Sequence, residues 1–291
     1  MLTLAAFLLA GDIAMNKIYE RYAGTTMKAG FRFNVLLGFL SALIFWVMGG
    51  FSFHVTPFSI LMAGVIASLG MSYNLLGFRI LKSGSMALYS LFLMTGGMAV
   101  PYVWGLLALD EPFSPLRTAG LALLILAVIL SNLPKRGQRV RAGLILICVV
   151  VFLLNGCVSV LSKTHQIEAS LATVTPMEFV MLMGLFKFVS GSIAYGIVAK
   201  KEGKAPKTEA SGGRWYVYVL IALLSAAIGG LSFVLQLKGA VNQPATVLYP
   251  FITGGSMIFS TAIGILAFRE KPSRRLLISI GLCFVGTLMF L

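Results

Sequence analysis

The chain has 291 residues, of which 58% are hydrophobic and 11% are charged, whereas soluble domains carry about 25% charged residues. One soluble core cannot bury so many apolar side chains, but ten bilayer-spanning helices of about 20 residues would use about 200 of the residues. The composition therefore excludes a soluble enzyme, a disordered chain and a secreted disulfide scaffold. The basic residues responsible for the net charge of +14 lie mainly in short connections between apolar segments. Contact with lipid headgroups and the charge bias that orients membrane proteins therefore explain these residues better than nucleic-acid binding does.

Ten apolar segments predict an all-α integral membrane protein with about ten transmembrane helices. The first segment lacks a basic leader and a small-residue cleavage site, so we expect a retained helix rather than a signal peptide. Three cysteines lie inside apolar segments, and we expect buried free thiols at Cys148, Cys157 and Cys283. The predicted spans are 2–20, 31–50, 57–79, 84–109, 115–133, 142–162, 175–199, 214–238, 243–268 and 273–291.

The two halves of the chain resemble each other. From Gly70 onward, a shift of 159 residues aligns the halves without gaps and pairs Gly96 with Gly255 and Glu111 with Glu270. We therefore predict two five-helix repeats, residues 1–134 and residues 135–291. Because five is an odd number, the second repeat would enter the membrane upside down, as in the inverted repeats of many secondary transporters.

Each half ends with a Glu-containing turn and a final helix. The two glutamates, Glu111 and Glu270, lie in the segments GLLALDEP at 105–112 and GILAFRE at 264–270, and we predict for them a turn and interface role rather than catalysis. Ser114 and Ser273 are expected to cap the final helices. Those helices carry small residues seven positions apart, which are Gly120 and Ala127 in the first half and Ser279 and Gly286 in the second. In these features the chain resembles the drug/metabolite transporter superfamily, specifically its EamA-type ten-helix members.

The resemblance implies a central substrate cavity lined by helices 1, 3, 4, 6, 8 and 9. Polar residues on those helices become candidate substrate-binding residues, with interhelical hydrogen bonding as the alternative role for each. These candidates are Tyr73, Asn74, Tyr89, Tyr102, Asn155, Gln236 and Tyr249.

Two charged residues, Asp12 and Lys187, lie near the midpoints of predicted spans. A charge at that depth costs about 2.5–3.5 kcal/mol on insertion scales and is a functional candidate by default. We therefore expect substrate contact, a proton site at Asp12, or an ion pair between the two. The alternatives are snorkelling of Lys187 to the interface and a structural hydrogen bond of Asp12. Glu178, near the start of helix 7, fits a first-turn acid that interacts with the helix dipole.

Basic residues are distributed unevenly between the two predicted membrane faces. Three of them, Arg117, Lys163 and Lys238, lie on one face and eighteen on the other, which predicts that the second face is cytoplasmic and that both termini are outside. The eighteen are Arg21, Lys28, Arg32, Arg79, Lys82, Lys135, Arg136, Arg139, Arg141, Lys200, Lys201, Lys204, Lys207, Arg214, Arg269, Lys271, Arg274 and Arg275.

Enzyme motifs are absent from the sequence. The two histidines, His54 and His165, are predicted to lie in separate loops without a Cys, Asp or Glu at metal-ligand spacing. We therefore predict a secondary active transporter, not an enzyme, that moves a small-molecule substrate by alternating access and uses a proton or solute gradient without a cofactor. Its expected surroundings are the lipid bilayer of a bacterial cell membrane, with no nucleic-acid partner and a homodimer left open. A non-transporting structural or sensory membrane subunit is the alternative.

Overall fold

The computed structural model of the protein describes residues 1–24, 26–82, 86–132, 142–202, 215–269 and 271–291. Within these ranges the chain folds into ten α-helices and contains no β-strand, so the all-helical prediction is confirmed. The helices are α1 (Leu2–Ala23), α2 (Met27–Met48), α3 (Pro57–Lys82), α4 (Met86–Ala108), α5 (Pro115–Ser131), α6 (Ala142–Ile167), α7 (Pro176–Glu202), α8 (Trp215–Asn242), α9 (Ala245–Leu266) and α10 (Arg274–Leu288).

Eight of the described helices, α1–α4 and α6–α9, are long and apolar enough to cross a membrane. This pattern is that of a multi-pass membrane protein. Helices α5 and α10 contain 17 and 15 residues, fewer than the about 20 that a bilayer-spanning helix needs.

Side-chain caps set several helix starts. Helix α2 begins before the predicted residue 31, because the Thr26 hydroxyl accepts a 3.2 Å hydrogen bond from the backbone N–H of Ala29. Ser114 and Ser273 cap α5 and α10, as predicted, and Pro115 occupies the first position of α5.

Four glycines let helices of the two halves approach closely. At the crossing of α2 and α7, a Cβ atom on Gly38 would lie 2.4 Å from the backbone nitrogen of Phe188 and 2.8 Å from the carbonyl oxygen of Gly184. In α5 and α10, Gly120 and Gly286 face each other in the same way, and a Cβ on Gly120 would lie 2.9 Å from the Gly286 carbonyl oxygen. These positions exclude any larger residue unless the helices separate.

The most extensive packing joins helices of the first half, α1–α5, to helices of the second half, α6–α10. Helix α1 packs on α8 and α9, α6 packs on α3 and α4, and α2, α4 and α5 pack on α7, α9 and α10. The space enclosed by these contacts therefore lies between the two halves.

The cysteines are free thiols, but only Cys148 and Cys283 are buried. Cys157 is exposed, so the prediction that it is buried was wrong. It extends an exposed stripe on α6 formed with Leu146, Val150 and Leu153 at helical spacing. Apolar composition does not separate such a surface stripe from the packed interior of a membrane protein.

Candidate functional site

Six helices, α1, α2, α3, α6, α7 and α8, line a cavity of about 360 Å³ between the two halves. Its apolar wall includes Leu37, Ile66, Val158, Met183 and Phe233. An apolar enclosure with a few convergent polar groups is typical of a small-molecule site. The polar lining residues are Asp12, Asn34, Ser41, Tyr73, Asn74, Lys187, Ser190, Ser225 and Gln236.

Asp12 joins the middle of α1 to α8. Its carboxylate accepts a hydrogen bond from the hydroxyl of Ser225, and the amide of Asn16 donates to its backbone carbonyl oxygen at 2.9 Å. One turn along α8, a Cβ atom on Gly229 would lie 2.8 Å from the Asp12 carboxyl carbon. Ser225 and Gly229 were not among the predicted site residues, although their spacing of four residues places them on one helix face.

Lys187 reaches the same cavity from α7. It lies on a different helix face from an exposed apolar stripe formed by Leu185, Val189, Ile193 and Ile197, so it does not snorkel along that stripe. Its ammonium group and the Asp12 carboxylate attract each other electrostatically. In the part of the chain that the structure describes, no ion pair within 4.0 Å joins them and no hydrogen bond reaches the ammonium. The direct ion pair between Asp12 and Lys187, one of the roles expected from the sequence, is therefore not formed between these two described residues.

Three of the candidates implied by the resemblance, Tyr73, Asn74 and Gln236, also line the cavity. The amide nitrogen of Gln236 donates to the hydroxyl of Ser232 at 3.2 Å, and Ser232 donates to the carbonyl oxygen of Ala5 at 2.7 Å. Gln236 thus combines a cavity position with a polar connection from α8 to α1.

The other four candidates lie away from this cavity. Three of them make hydrogen bonds between helices, which is the alternative role stated for them. Asn155 donates to the Leu93 carbonyl oxygen at 2.7 Å, Tyr249 donates to the Ser159 carbonyl oxygen at 2.6 Å, and the Tyr102 hydroxyl lies 2.8 Å from that of Thr118. The fourth, Tyr89, packs its ring against Gly77.

Helices α2 and α7 line the cavity in place of α4 and α9, contrary to the expectation from the resemblance. Asn34 and Ser41 of α2, and Ser190 of α7, are polar lining residues that the candidate set did not contain. Asn34 and Ser41 are seven residues apart, so they share one face of α2. That spacing is the sequence signal that could have identified them.

One end of the molecule, where α9 begins, is held by the half-buried carboxylate of Glu111, in the turn after α4, and by the buried side chain of Lys163 in α6. The Glu111 carboxylate accepts hydrogen bonds from the backbone N–H groups of Ala245 at 2.6 Å and Thr246 at 2.9 Å. The Lys163 ammonium donates to the carbonyl oxygens of Ala240 at 2.9 Å and Gln243 at 2.7 Å. Together they fix the turn between α8 and α9. The turn and interface role predicted for Glu111 is confirmed, whereas its predicted counterpart Glu270 lies outside the described residues.

A second polar cluster at the same end links the connection before α3 to α7. The predicted first-turn position of Glu178 is confirmed, and its carboxylate also lies 2.8 Å from Nδ1 of His54 and accepts a hydrogen bond from the Ser52 hydroxyl. His165 belongs to the last turn of α6 rather than to a loop, because α6 continues to Ile167. No group of three His, Cys, Asp or Glu side chains that could hold a metal occurs among the described residues.

No protein-family model and no curated protein matches the chain. Solved structures do match it, including one described only as "Crystal structure of protein". That structure has a TM-score of 0.74 and 16% sequence identity, and the match covers 99% of this chain and 96% of that chain. At this identity the likeness shows a shared fold over the whole length and nothing about the substrate.

Proposed function

We propose that the protein is a secondary active transporter that moves a small metabolite across a membrane by alternating access. The observation that carries the proposal is the cavity between the two halves, to which α1 contributes Asp12 and α7 contributes Lys187. Ionisable residues within membrane helices are rare and mark substrate or ion pathways. A proton or solute gradient would drive the movement, with Asp12 as the candidate proton site.

The proposal includes ten spans arranged as two inverted five-helix repeats, and reciprocal glycine contacts support this arrangement. Gly96 of α4 approaches the backbone of Phe152 in α6, and Gly255 of α9 approaches Ala6 of α1. The two glycines are 159 positions apart, and their partners are 146 positions apart. A pseudo-two-fold axis between the halves requires such exchanged contacts.

The same separation of 146 positions relates Gly38 to Gly184, which pack on each other where α2 crosses α7. A contact between two repeat-related residues is expected on the axis itself. The short helices α5 and α10 meet through Gly120 and Gly286, and we propose that they complete the ten spans as a pair. These features agree with the resemblance to the drug/metabolite transporter superfamily.

Alternating access also needs contacts that close one end and can be broken. Glu111 and Lys163 hold the turn between α8 and α9 through four hydrogen bonds to the backbone. Glu111 belongs to the first half, whereas the turn belongs to the second. Opening this end would require the two halves to separate here, and in our proposal the two bonds of Glu111 then break, whereas those of Lys163 lie within the second half.

Transport in proteoliposomes tests the proposal. The solute panel contains amino acids, nucleobases, sugars and cationic toxicants, and a pH gradient is imposed across the membrane. We expect gradient-dependent accumulation of at least one solute and its loss in Gly70→Leu. Gly70 lines the cavity, a Cβ there would meet only the Tyr73 side chain at 3.9 Å, and a larger side chain would block the site. Gly196→Leu is the matched control, since no atom lies within 4 Å of a Cβ at that position.

Two results would contradict transport through this cavity. One is the absence of accumulation for every solute while the purified protein stays folded, which would favour the non-transporting structural or sensory subunit. The other is equal accumulation by wild type and Gly70→Leu, which would show that the solute does not pass through the cavity.

A further inference from the structure

The two charged side chains of the cavity come from opposite halves of the protein. Asp12 belongs to α1, and Lys187 belongs to α7. Both line one cavity and attract each other, yet within the described residues they are not in direct contact. The cavity therefore carries a negative group on one side and a positive group on another.

The positions related to these residues by the 146-residue separation carry no charge. Val158 corresponds to Asp12, Ser41 corresponds to Lys187, and both also line the cavity. The contact of Asp12 with Ser225 likewise has an apolar counterpart, because Ser225 lies 159 positions after Ile66. The fold thus accommodates uncharged residues at equivalent positions, so packing alone does not account for the charges.

Both charged groups retain hydrogen-bonding capacity toward the cavity. An ionised carboxylate offers about four acceptor sites, and an ammonium group offers three donors. Ser225 provides one hydrogen bond to the Asp12 carboxylate, and no described residue accepts one from Lys187. Because leaving a charge unpaired within a membrane is costly, a ligand that pairs with both groups would gain more than one that pairs with either alone.

We propose that the substrate is a zwitterionic metabolite whose ammonium group binds Asp12 and whose carboxylate binds Lys187. This inference rests on the proposed transport function and specifies the substrate class of the same cavity. The volume of about 360 Å³ suits a small molecule, and Phe233 and Met183 provide apolar surface for its side chain. A net-neutral ligand also leaves the combined charge of ligand, Asp12 and Lys187 at zero.

The location of the two groups adds a mechanical consequence. A ligand that binds Asp12 and Lys187 together connects the first half to the second half. A ligand with one charge holds only one half and leaves the opposite charge uncompensated. The zwitterion would therefore be the ligand that stabilises the arrangement in which both halves enclose it.

Thermal unfolding of the purified full chain in detergent tests the substrate class. The probes are zwitterions with different charge separations and side chains, namely glycine, β-alanine, γ-aminobutyrate, L-serine and L-leucine. Single-charge analogues of the last two are ethanolamine and isoamylamine, which lack the carboxylate, and 3-hydroxypropanoate and 4-methylpentanoate, which lack the ammonium group. We expect a zwitterion to raise the Tm in a concentration-dependent way and its analogues to be without effect at the same concentration.

Charge-removing variants assign the two ends of the ligand. We expect Lys187→Gln to weaken zwitterion binding by tenfold or more and to reduce discrimination against the matching amine. We expect Asp12→Asn to weaken it similarly and to reduce discrimination against the matching carboxylate. Lys238→Gln and Asp110→Asn are the controls, because both side chains are exposed and neither lines the cavity.

The wild-type analogue series decides the matter even if a charge variant does not fold. The substrate class is overturned if single-charge analogues stabilise the protein as well as the zwitterions do, or if none of the zwitterions does so. Transport of a singly charged or neutral solute that is lost in Gly70→Leu would overturn the zwitterion class and leave the transport function standing. Binding of a zwitterion without transport in proteoliposomes would support the zwitterion class and overturn the transport function.

Discussion

The carboxylate of Glu111, in the turn after α4, accepts a 2.6 Å hydrogen bond from the backbone N–H of Ala245 at the start of α9. The residue before α9 is Pro244, whose side chain makes no capping hydrogen bond. A residue from the first half thus supplies the cap for a helix of the second half. The carboxylate also suits the positive end of the helix dipole.

Replacement of Glu111 should therefore destabilise the protein. Glu111→Ala removes the acceptor for the N–H groups of Ala245 and Thr246, and we expect a loss of about 1–3 kcal/mol. The measurement is the Tm in detergent. Asp110→Asn is the matched control, because Asp110 is exposed and its φ of 50° is a left-handed conformation that asparagine tolerates. Equal Tm values for Glu111→Ala and wild type would show that the cap is not important for stability.

Lys163 provides a second prediction at the same turn. Its ammonium is buried and donates to the carbonyl oxygens of Ala240 and Gln243, so Lys163→Met leaves both without that donor. We expect a stability loss of about 1–3 kcal/mol, measured by thermal unfolding. Lys238→Met, at an exposed position of α8, should leave the Tm nearly unchanged. Similar effects of the two substitutions would contradict a specific role for Lys163.

The crossing of α2 and α7 makes a third prediction. Gly38→Ala places a Cβ 2.4 Å from the Phe188 nitrogen and 2.8 Å from the Gly184 carbonyl oxygen. Because both of these are backbone atoms, the helices must move apart. We expect a loss of about 1–3 kcal/mol in stability. Gly196 lies on α7, the partner of α2 at this crossing, and no atom lies within 4 Å of a Cβ at that position. Gly196→Ala should therefore leave the stability unchanged or raise it slightly. The comparison fails if Gly38→Ala is as stable as Gly196→Ala.

Helix number and capping could be predicted because they depend on local sequence. Apolar length located ten helices, and Ser114 and Ser273 marked the starts of α5 and α10. The placement of Asp12 and Lys187 around one cavity also followed from their depth in apolar segments, because a charge there needs a polar environment.

The lining of the cavity could not be predicted in the same way. Asn155 and Asn34 are both polar residues within apolar helices, but Asn155 bonds to the Leu93 carbonyl oxygen whereas Asn34 faces the cavity. Only the positions of neighbouring helices distinguish the two roles. Lys163 was treated as a face charge because the predicted span ended at residue 162, whereas α6 continues to Ile167 and buries it.

The excess of basic residues on one face supplies the last prediction, which concerns orientation. Basic residues are retained on the cytoplasmic side during insertion, so the connection between α7 and α8 should be cytoplasmic and that between α6 and α7 external. Single cysteines introduced by Ser211→Cys and Ala169→Cys probe the α7–α8 connection and the α6–α7 connection, respectively. Ser211 lies outside the described residues, and Ala169 is exposed.

The labelling experiment uses a chain in which the three native cysteines are replaced, because Cys157 is exposed and could react. A membrane-impermeant thiol reagent should label Ala169→Cys in intact cells and label Ser211→Cys only after lysis. The two variants control for each other, since both must react after lysis if the sites are accessible. Labelling of Ser211→Cys but not Ala169→Cys in intact cells would reverse the proposed orientation. The fold would be unaffected, because helix packing does not depend on which face is cytoplasmic.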